Sequence, residues 1–395
     1  MNSGARTNLV LATAAFALMF WAWNLIAPLA PDYAARLDLS PTETSVLIAF
    51  PVLIGAVGRI PVGALTDRYG GRVMMAAVAF VSVVPVLLLG FVGDSYPMLL
   101  VLGFFLGIAG TSFAVGVPFV SRWHSAEKRG FATGVFGAGM GGTALSAFLT
   151  PYLAGTIGLL GTHVFMAVAL VLMGVLVLVV CRNPPGWEPS TDPLMPRLRE
   201  ALGLRATWQN ILLYAVAFGG FVAFSTYLPT LLHNAYGFAQ TEAGLRAAGF
   251  ALVAVVARPA GGILSDKVGP VRVCMVSFVG TTLMAGALVF QPPAELAAGT
   301  VFVLMAAFLG LGTGGVFALV AQLVEPARVG TVTGLVGAAG GLGGYFPPLV
   351  MGVVFQATGA YAFGFVLLAA VALGTAVYTG MAFRDRSTVE KTAVK

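Results

Sequence analysis

The sequence is poor in charge. Only 9% of its 395 residues are Asp, Glu, Lys or Arg, where a soluble domain of this length carries roughly 25%. That excludes an ordinary water-soluble globule. Cysteine is almost absent: Cys181 and Cys274 stand far apart in the chain, which excludes a disulfide framework or a thiolate metal centre and leaves two small apolar thiols. Three histidines, His124, His163 and His233, fall in a loop or at helix ends and read as surface residues rather than proton relays. No nucleophile–base pair, metal-ligand cluster or phosphate loop is present, because the glycine-rich stretches lie within apolar runs and lack a following Lys-Ser/Thr. The chain is therefore expected to be neither an enzyme nor a cofactor carrier, and without a basic–aromatic stripe no nucleic-acid partner is expected.

What is abundant is apolar sequence. Hydrophobic residues make up 58% of the chain and mean hydropathy is +0.94. Windows of about 20 apolar residues predict spans near 8–31, 44–65, 73–92, 97–120, 131–153, 163–181, 210–232, 243–265, 273–291, 298–323, 330–357 and 361–383. The first is too long for a cleaved signal sequence and lacks a small-residue cleavage site, so it reads as a retained span. Of the 21 Lys and Arg, 17 fall on the side of the termini when the N-terminus is placed inside. The positive-inside rule then predicts both termini in the cytoplasm of a multi-pass cell-membrane protein.

The segment 182–209 is the longest polar stretch. Its Pro-rich start cannot continue a helix, while PRLREALG reads as a short helix lying on the membrane surface. It separates an N-terminal six-helix bundle (1–181) from a C-terminal one (210–395), with 182–209 as a cytoplasmic central loop. The halves repeat. At a shift of 199, Arg59, Gly63, Leu65, Asp67 and Gly70 meet Arg258, Gly262, Leu264, Asp266 and Gly269. At a shift of 200, GFATGVFGAGMGGTALSAFL (130–149) meets GTVTGLVGAAGGLGGYFPPL (330–349). An even number of spans gives both halves the same orientation, the parallel-repeat plan of transporters whose site lies between halves.

Arg59 and Arg258 are the anomaly. Every carboxylate falls outside the spans: Asp32, Asp38, Glu43, Asp94, Glu242 and Glu295 on the outward side, and Asp67, Glu127, Glu188, Asp192, Glu200, Asp266, Glu325, Asp385 and Glu390 on the cytoplasmic side. Each arginine stands eight residues outward of its Asp, roughly 12 Å further into the membrane. A cation at that depth costs about 2.5–3.5 kcal/mol on the insertion scale. Two at equivalent repeat positions with no counter-charge repel unless an anion sits between them, and a guanidinium fork suits a small oxyanion. The paired glycine runs, GVFGAGMGG and GLVGAAGGLGG, allow close helix packing and leave room for something small.

GALTDRYGGR (63–72) resembles the loop signature of the major facilitator superfamily, and GILSDKVGP (262–270) its echo. The resemblance implies an all-α polytopic membrane protein of twelve transmembrane helices in two pseudo-symmetric six-helix bundles. Gly63, Asp67, Arg68, Gly70, Arg72, Gly262, Asp266, Lys267 and Gly269 are then gate and topology elements, with Asp67 expected to cap the next helix. The glycine runs resemble the paired signatures of the nitrate/nitrite porter family. That likeness implies substrate contacts from Arg59 and Arg258, aromatic walls from Phe113 and Phe317, a hydroxyl from Tyr214, and close approach at Gly139, Met140, Gly141, Gly340 and Gly341. The chain departs from the family at Met140, where an asparagine is usual. The expected function is transport of nitrate and nitrite, with exchange favoured because no titratable group lies in the pathway, in a lipid bilayer and within one monomer. An organophosphate/phosphate antiporter is the alternative, weakened by the lack of an added Lys or His. A non-transporting nutrient sensor is a second, weakened by termini too short for an added domain.

Overall fold

In the computed structural model, residues 3–124, 129–189, 193–294, 296–325 and 328–384 are described. Glu127, Asp192, Glu295, Asp385 and Glu390, assigned above to loops and a tail, lie outside them. Twelve apolar spans emerge. Span one runs Ser3–Trp23 and resumes as Ala30–Leu37 after a 3-10 turn at Ala27–Leu29. Span two is Pro41–Val57 followed by Arg59–Tyr69, bent by 40° at Gly58. Span three is Gly71–Val92. Span four joins Tyr96–Leu106 to Ser112–Arg122 through a 3-10 stretch at Gly107–Thr111. Spans five and six run through Arg129–Gly137, Ala138–Gly141 and Gly142–Val180, the last broken at Gly158 (φ 75°, ψ 170°). Spans seven to twelve are Arg205–Tyr236, Gln240–Val268, Pro270–Val289, Leu296–Leu323, Val329–Thr358 and Ala362–Ala382. The joining segment carries one further helix, Leu194–Leu202, and span seven starts five residues earlier than the sequence windows suggest.

Local chemistry sets the ends. Ser40 opens span two with a capping box, its hydroxyl accepting from the Glu43 amide while its own amide donates to the Glu43 carboxylate at 2.9 Å. Gly70 and Gly269 close the matched spans two and eight in the same left-sided conformation (φ 84° and 91°). At Gly70 any Cβ would also overlap the Asn183 side chain, so only glycine fits. Asp67 does not cap span three, as the sequence suggested: that helix has no side-chain cap. Asp67 instead pairs with Arg122 at the end of span four at 2.8 Å, because the tight Gly70–Gly71 turn lets Arg72 take the Asn183 amide oxygen and the Leu178 carbonyl.

The two bundles meet unevenly. Away from the termini they are locked. The Ser45 and Tyr227 hydroxyls lie 3.2 Å apart across the seam, Gln240 donates to the Pro28 carbonyl at 2.6 Å, and the Thr42 amide donates to Gln356 at 3.3 Å. Gly244 presses on span five so closely that a Cβ would overlap the Ala147 carbonyl oxygen, and Gly352 does the same against Ser45. Toward the termini, the matched Gly134 and Gly334 are exposed, with nothing within 4 Å of a built Cβ. Hydrogen bonds and close glycine contacts thus tie the bundles together on the far side, while Gly134 and Gly334 stand exposed toward the terminal side.

Gly244→Leu should pry the far side apart. Overpacking typically costs about 1–3 kcal/mol, enough to raise the labelling rate of a Ser45→Cys thiol by an impermeant maleimide roughly five- to hundredfold. Labelling as slow as in the Ser45→Cys protein alone would show that this contact does not hold the seam.

Candidate functional site

Among the described residues, Arg59 is the one Asp, Glu, Lys or Arg that is buried, at 3% exposure. It opens the second segment of span two directly after the Gly58 bend. That bend is packed in place, since a Cβ on Gly58 would lie 2.8 Å from the Thr111 methyl. Arg59 Nη1 crosses the interface and donates to the Gly337 carbonyl of span eleven at 2.6 Å. Its Nε and Nη2 are buried with no hydrogen-bond partner from the protein. An unsatisfied buried donor on a charged group costs more than the usual 1–3 kcal/mol or so, and Arg59 carries two of them.

Arg258 is the repeat mate on span eight and makes the mirror reach. Its guanidinium lies 3.9 Å from where a Cβ on Gly137 would stand, and Nη1 touches the Met140 sulfur. Gly137 and Gly337 are themselves repeat mates, so each arginine crosses to the same position of the opposite glycine run. The two contacts differ in chemistry. A carbonyl is a strong acceptor, whereas a thioether is a weak, polarisable one. Arg258 is also only half-buried. None of the ion pairs among the described residues, Arg36–Asp94, Arg122–Asp67, Arg328–Glu200 and Arg328–Glu325, includes either arginine.

Aromatic rings enclose the pair. The Phe113 ring centre lies 5.3 Å from the Arg59 guanidinium carbon and 5.8 Å from that of Arg258, so one ring serves both. Phe317 lies 5.3 Å from Arg258, and Phe218 lies 5.5 Å from Arg59. Tyr214 stacks on Phe218 at 5.0 Å with planes 4° apart and meets Phe317 at 4.7 Å. Its hydroxyl is buried near both arginines without a hydrogen bond of good geometry. The faces of these rings carry partial negative charge and hold the cations. They offer them no conventional hydrogen-bond acceptor, so the two Arg59 N–H groups stay unpaired within the protein.

The structure therefore brings together Arg59, Arg258, Phe113, Phe317, Tyr214 and Met140. The glycines sort differently. A Cβ at Gly341 would press on Ala56 and lie 3.6 Å from Arg59 Nη1, and one at Gly340 would strike Tyr214 and Phe218. Gly141 faces open space, and Gly139 packs on Phe16 and the Thr13 carbonyl in span one. In the signature loops, Gly63 approaches Ala114, Arg68 lies over the Tyr69 ring, and Gly262 follows Arg258 by one turn of span eight, with Asp266 and Lys267 a turn further on. Two participants were missed by sequence reasoning. Phe218 stands one helical turn after Tyr214, a spacing that could have found it, while the Gly337 acceptor is backbone and leaves no mark in the side chains. The histidines also need correction. His233 is exposed, but His124 and His163 are buried. His163 is held by the Leu159 carbonyl at 2.8 Å and lies 3.5 Å from the Tyr33 hydroxyl, away from the arginines. A helix end is covered where the bundle packs over it, as at His163, and exposed where it does not, as at His233.

A twelve-helix bundle pair enclosing two unneutralised cations between its halves defines a membrane carrier of small solutes. The model of the Major Facilitator Superfamily matches residues 12–318 and 232–395. A probable nitrate/nitrite transporter, NarK2, of Mycobacterium tuberculosis is 51% identical, over 97% of this chain and 98% of that protein. A nitrite extrusion protein of Bacillus subtilis is 38% identical over 91% and 89%, and a probable nitrate transporter, NarT, of Staphylococcus epidermidis 34% over 92% of each. The fold matches a crystal structure of a bacterial homologue of the human lysosomal transporter Spinster, inward-facing and occupied, with TM-score 0.76 at 19% identity over 97% of this chain and 98% of that one. The chain belongs to the Major Facilitator Superfamily and is a transporter, not an enzyme.

Phe218→Leu keeps most of the volume and removes the ring from Arg59. Cation–π contacts contribute about 0.5–2 kcal/mol, so equilibrium anion binding to the purified, folded protein should weaken roughly two- to thirtyfold. Unchanged affinity would remove Phe218 from the site.

Proposed function

We propose that the protein exchanges nitrate and nitrite across the cell membrane by alternating access, one anion at a time, shared between Arg59 and Arg258. The observation that carries this reading is a pair of guanidinium groups in one aromatic cage, with orphan buried donors on Arg59 and, among the described residues, no carboxylate paired with either. A flat, singly charged, weakly hydrated oxyanion suits that cage: its oxygens accept from the forks, and its faces lie against the rings of Phe113 and Phe317. Tyr214 adds a hydroxyl donor. The names of the relatives point to the same two anions.

The charge asymmetry of the loops supports cytoplasmic termini. With that orientation the open terminal side faces the cytoplasm, and the Ser45–Tyr227 seam closes the outside. Binding relieves the mutual repulsion of the arginines and lets the terminal halves swing together, bringing Gly134 and Gly334 against the opposite bundles. An empty carrier resists that closure because two cations would be sealed in a low dielectric. The return step then needs a second anion, which makes exchange the favoured mode. Proton symport would call for a titratable carboxylate or histidine at the cage, and neither is present there among the described residues. The pathway lies within one chain, so a monomer suffices. An organophosphate reading is disfavoured because, among the described residues, no lysine or histidine joins the arginines.

The test is uptake of labelled nitrate into proteoliposomes loaded with nitrite. Uptake should require internal nitrite and fall in both Arg59→Lys and Arg258→Lys. Lysine keeps the charge but loses the fork, and a charge-assisted hydrogen bond is worth about 1.5–3 kcal/mol, so the loss should be at least about tenfold. Uptake by empty vesicles driven only by an inward pH gradient would contradict exchange. Full activity in either lysine variant would contradict the site.

A further inference from the structure

The helix Leu194–Leu202 between the bundles has two unlike flanks. Leu194, Leu198 and Ala201 turn toward the protein. On one side of that line Glu200 pairs with Arg328, at the start of span eleven, at 2.7 Å. The other side presents Met195, Arg199 and Leu202, spaced to share one helical stripe, with Met195 70% exposed. The chain then turns, and Trp208, 57% exposed, donates its indole N–H back to the Leu202 carbonyl at 2.7 Å. Arg205, Trp208 and Leu212 continue the stripe along one exposed face of span seven.

Met195, Leu202 and Trp208 thus form an exposed apolar strip, interspersed with the two arginines, that leads to the exposed face of span seven at Leu212. Arg199 and Arg205 edge it, and among the described residues neither has a carboxylate partner. A tryptophan where a span leaves the hydrocarbon, apolar side chains beside it and two cations above them match one ligand chemistry: acyl chain below, anionic headgroup above. We propose that this flank binds an anionic phospholipid of the adjacent leaflet. Through Glu200 and Arg328 the same helix grips span eleven, so the lipid is held one ion pair away from a moving helix of the transport cycle.

The experiment uses the full chain with Met195→Cys carrying a bimane fluorophore; selective labelling is possible because Cys181 and Cys274 are buried. The protein is reconstituted in phosphatidylcholine vesicles containing brominated phosphatidylglycerol or, separately, the same fraction of brominated phosphatidylcholine. Phosphatidylglycerol should quench preferentially, with a relative association about fivefold higher per arginine at low salt. The preference should fall toward unity in Arg199→Gln with Arg205→Gln, and in the parent at high salt, while size-exclusion and thermal melting report that the variant is folded. Equal quenching by both lipids would overturn the anionic preference. Quenching by neither would place the helix off the bilayer, and a preference unchanged in the double variant would overturn the role of the two arginines.

Discussion

Two guanidinium groups share one aromatic cage between the bundles, with no carboxylate among the described residues paired to either, and the rest of the interface is arranged around that constraint. Like charges repel strongly where water is excluded, so the cations need partners that hold them without cancelling them. The rings of Phe113, Phe218 and Phe317 do this by cation–π contact. A single carbonyl, that of Gly337, takes one of the Arg59 donors. Had a carboxylate taken the rest, the site would be neutral and closed to an anion. The glycine runs stand beside the same arrangement: a Cβ at Gly137 would come to 3.9 Å from the Arg258 guanidinium, and one at Gly337 to 3.5 Å from the Phe113 ring.

The repeat is symmetric in sequence and uneven in structure. Span two bends at Gly58, and spans four and five tighten to 3-10 geometry at Gly107–Thr111 and Ala138–Gly141. Their mates, spans eight, ten and eleven, run as unbroken α-helices. The irregular half holds Arg59 buried against a carbonyl. The regular half presents Arg258, half-buried and resting on the soft sulfur of Met140. In the proposed cycle this gives the arginines unequal work: Arg59 is the fixed receptor, and Arg258 is the arm that meets the anion from the open side. A 3-10 stretch inside an α-helix commonly marks a hinge, so in that cycle spans four and five supply flexing points within the N-terminal half.

Much of this was legible in the sequence. Twelve apolar windows, the doubled signature and the stranded arginines are written in residue type and spacing, so fold, repeat and the anomaly at Arg59 and Arg258 could all be read there. Phe113, Phe317 and Tyr214 could not be told from packing aromatics in a chain with 28 phenylalanines without the family resemblance, and Phe218 was overlooked beside Tyr214. What no alphabet of side chains encodes is backbone: the Gly337 acceptor, the bend at Gly58, and the 3-10 turns. Burial at helix ends was equally hidden, because His163 is covered by its packing against Gly90 and Tyr33 rather than by its place in the chain. The Asp67 partner depended on where span four ends in space, which spacing along span two does not disclose.

The central claim is that one anion is shared by both arginines. Isothermal titration of the purified protein with nitrate tests it most directly, through stoichiometry rather than flux. One nitrate should bind per chain, and binding should vanish in Arg59→Gln and in Arg258→Gln alike, since each removes half of a single site. Two bound anions per chain, or wild-type affinity surviving in either variant, would contradict it.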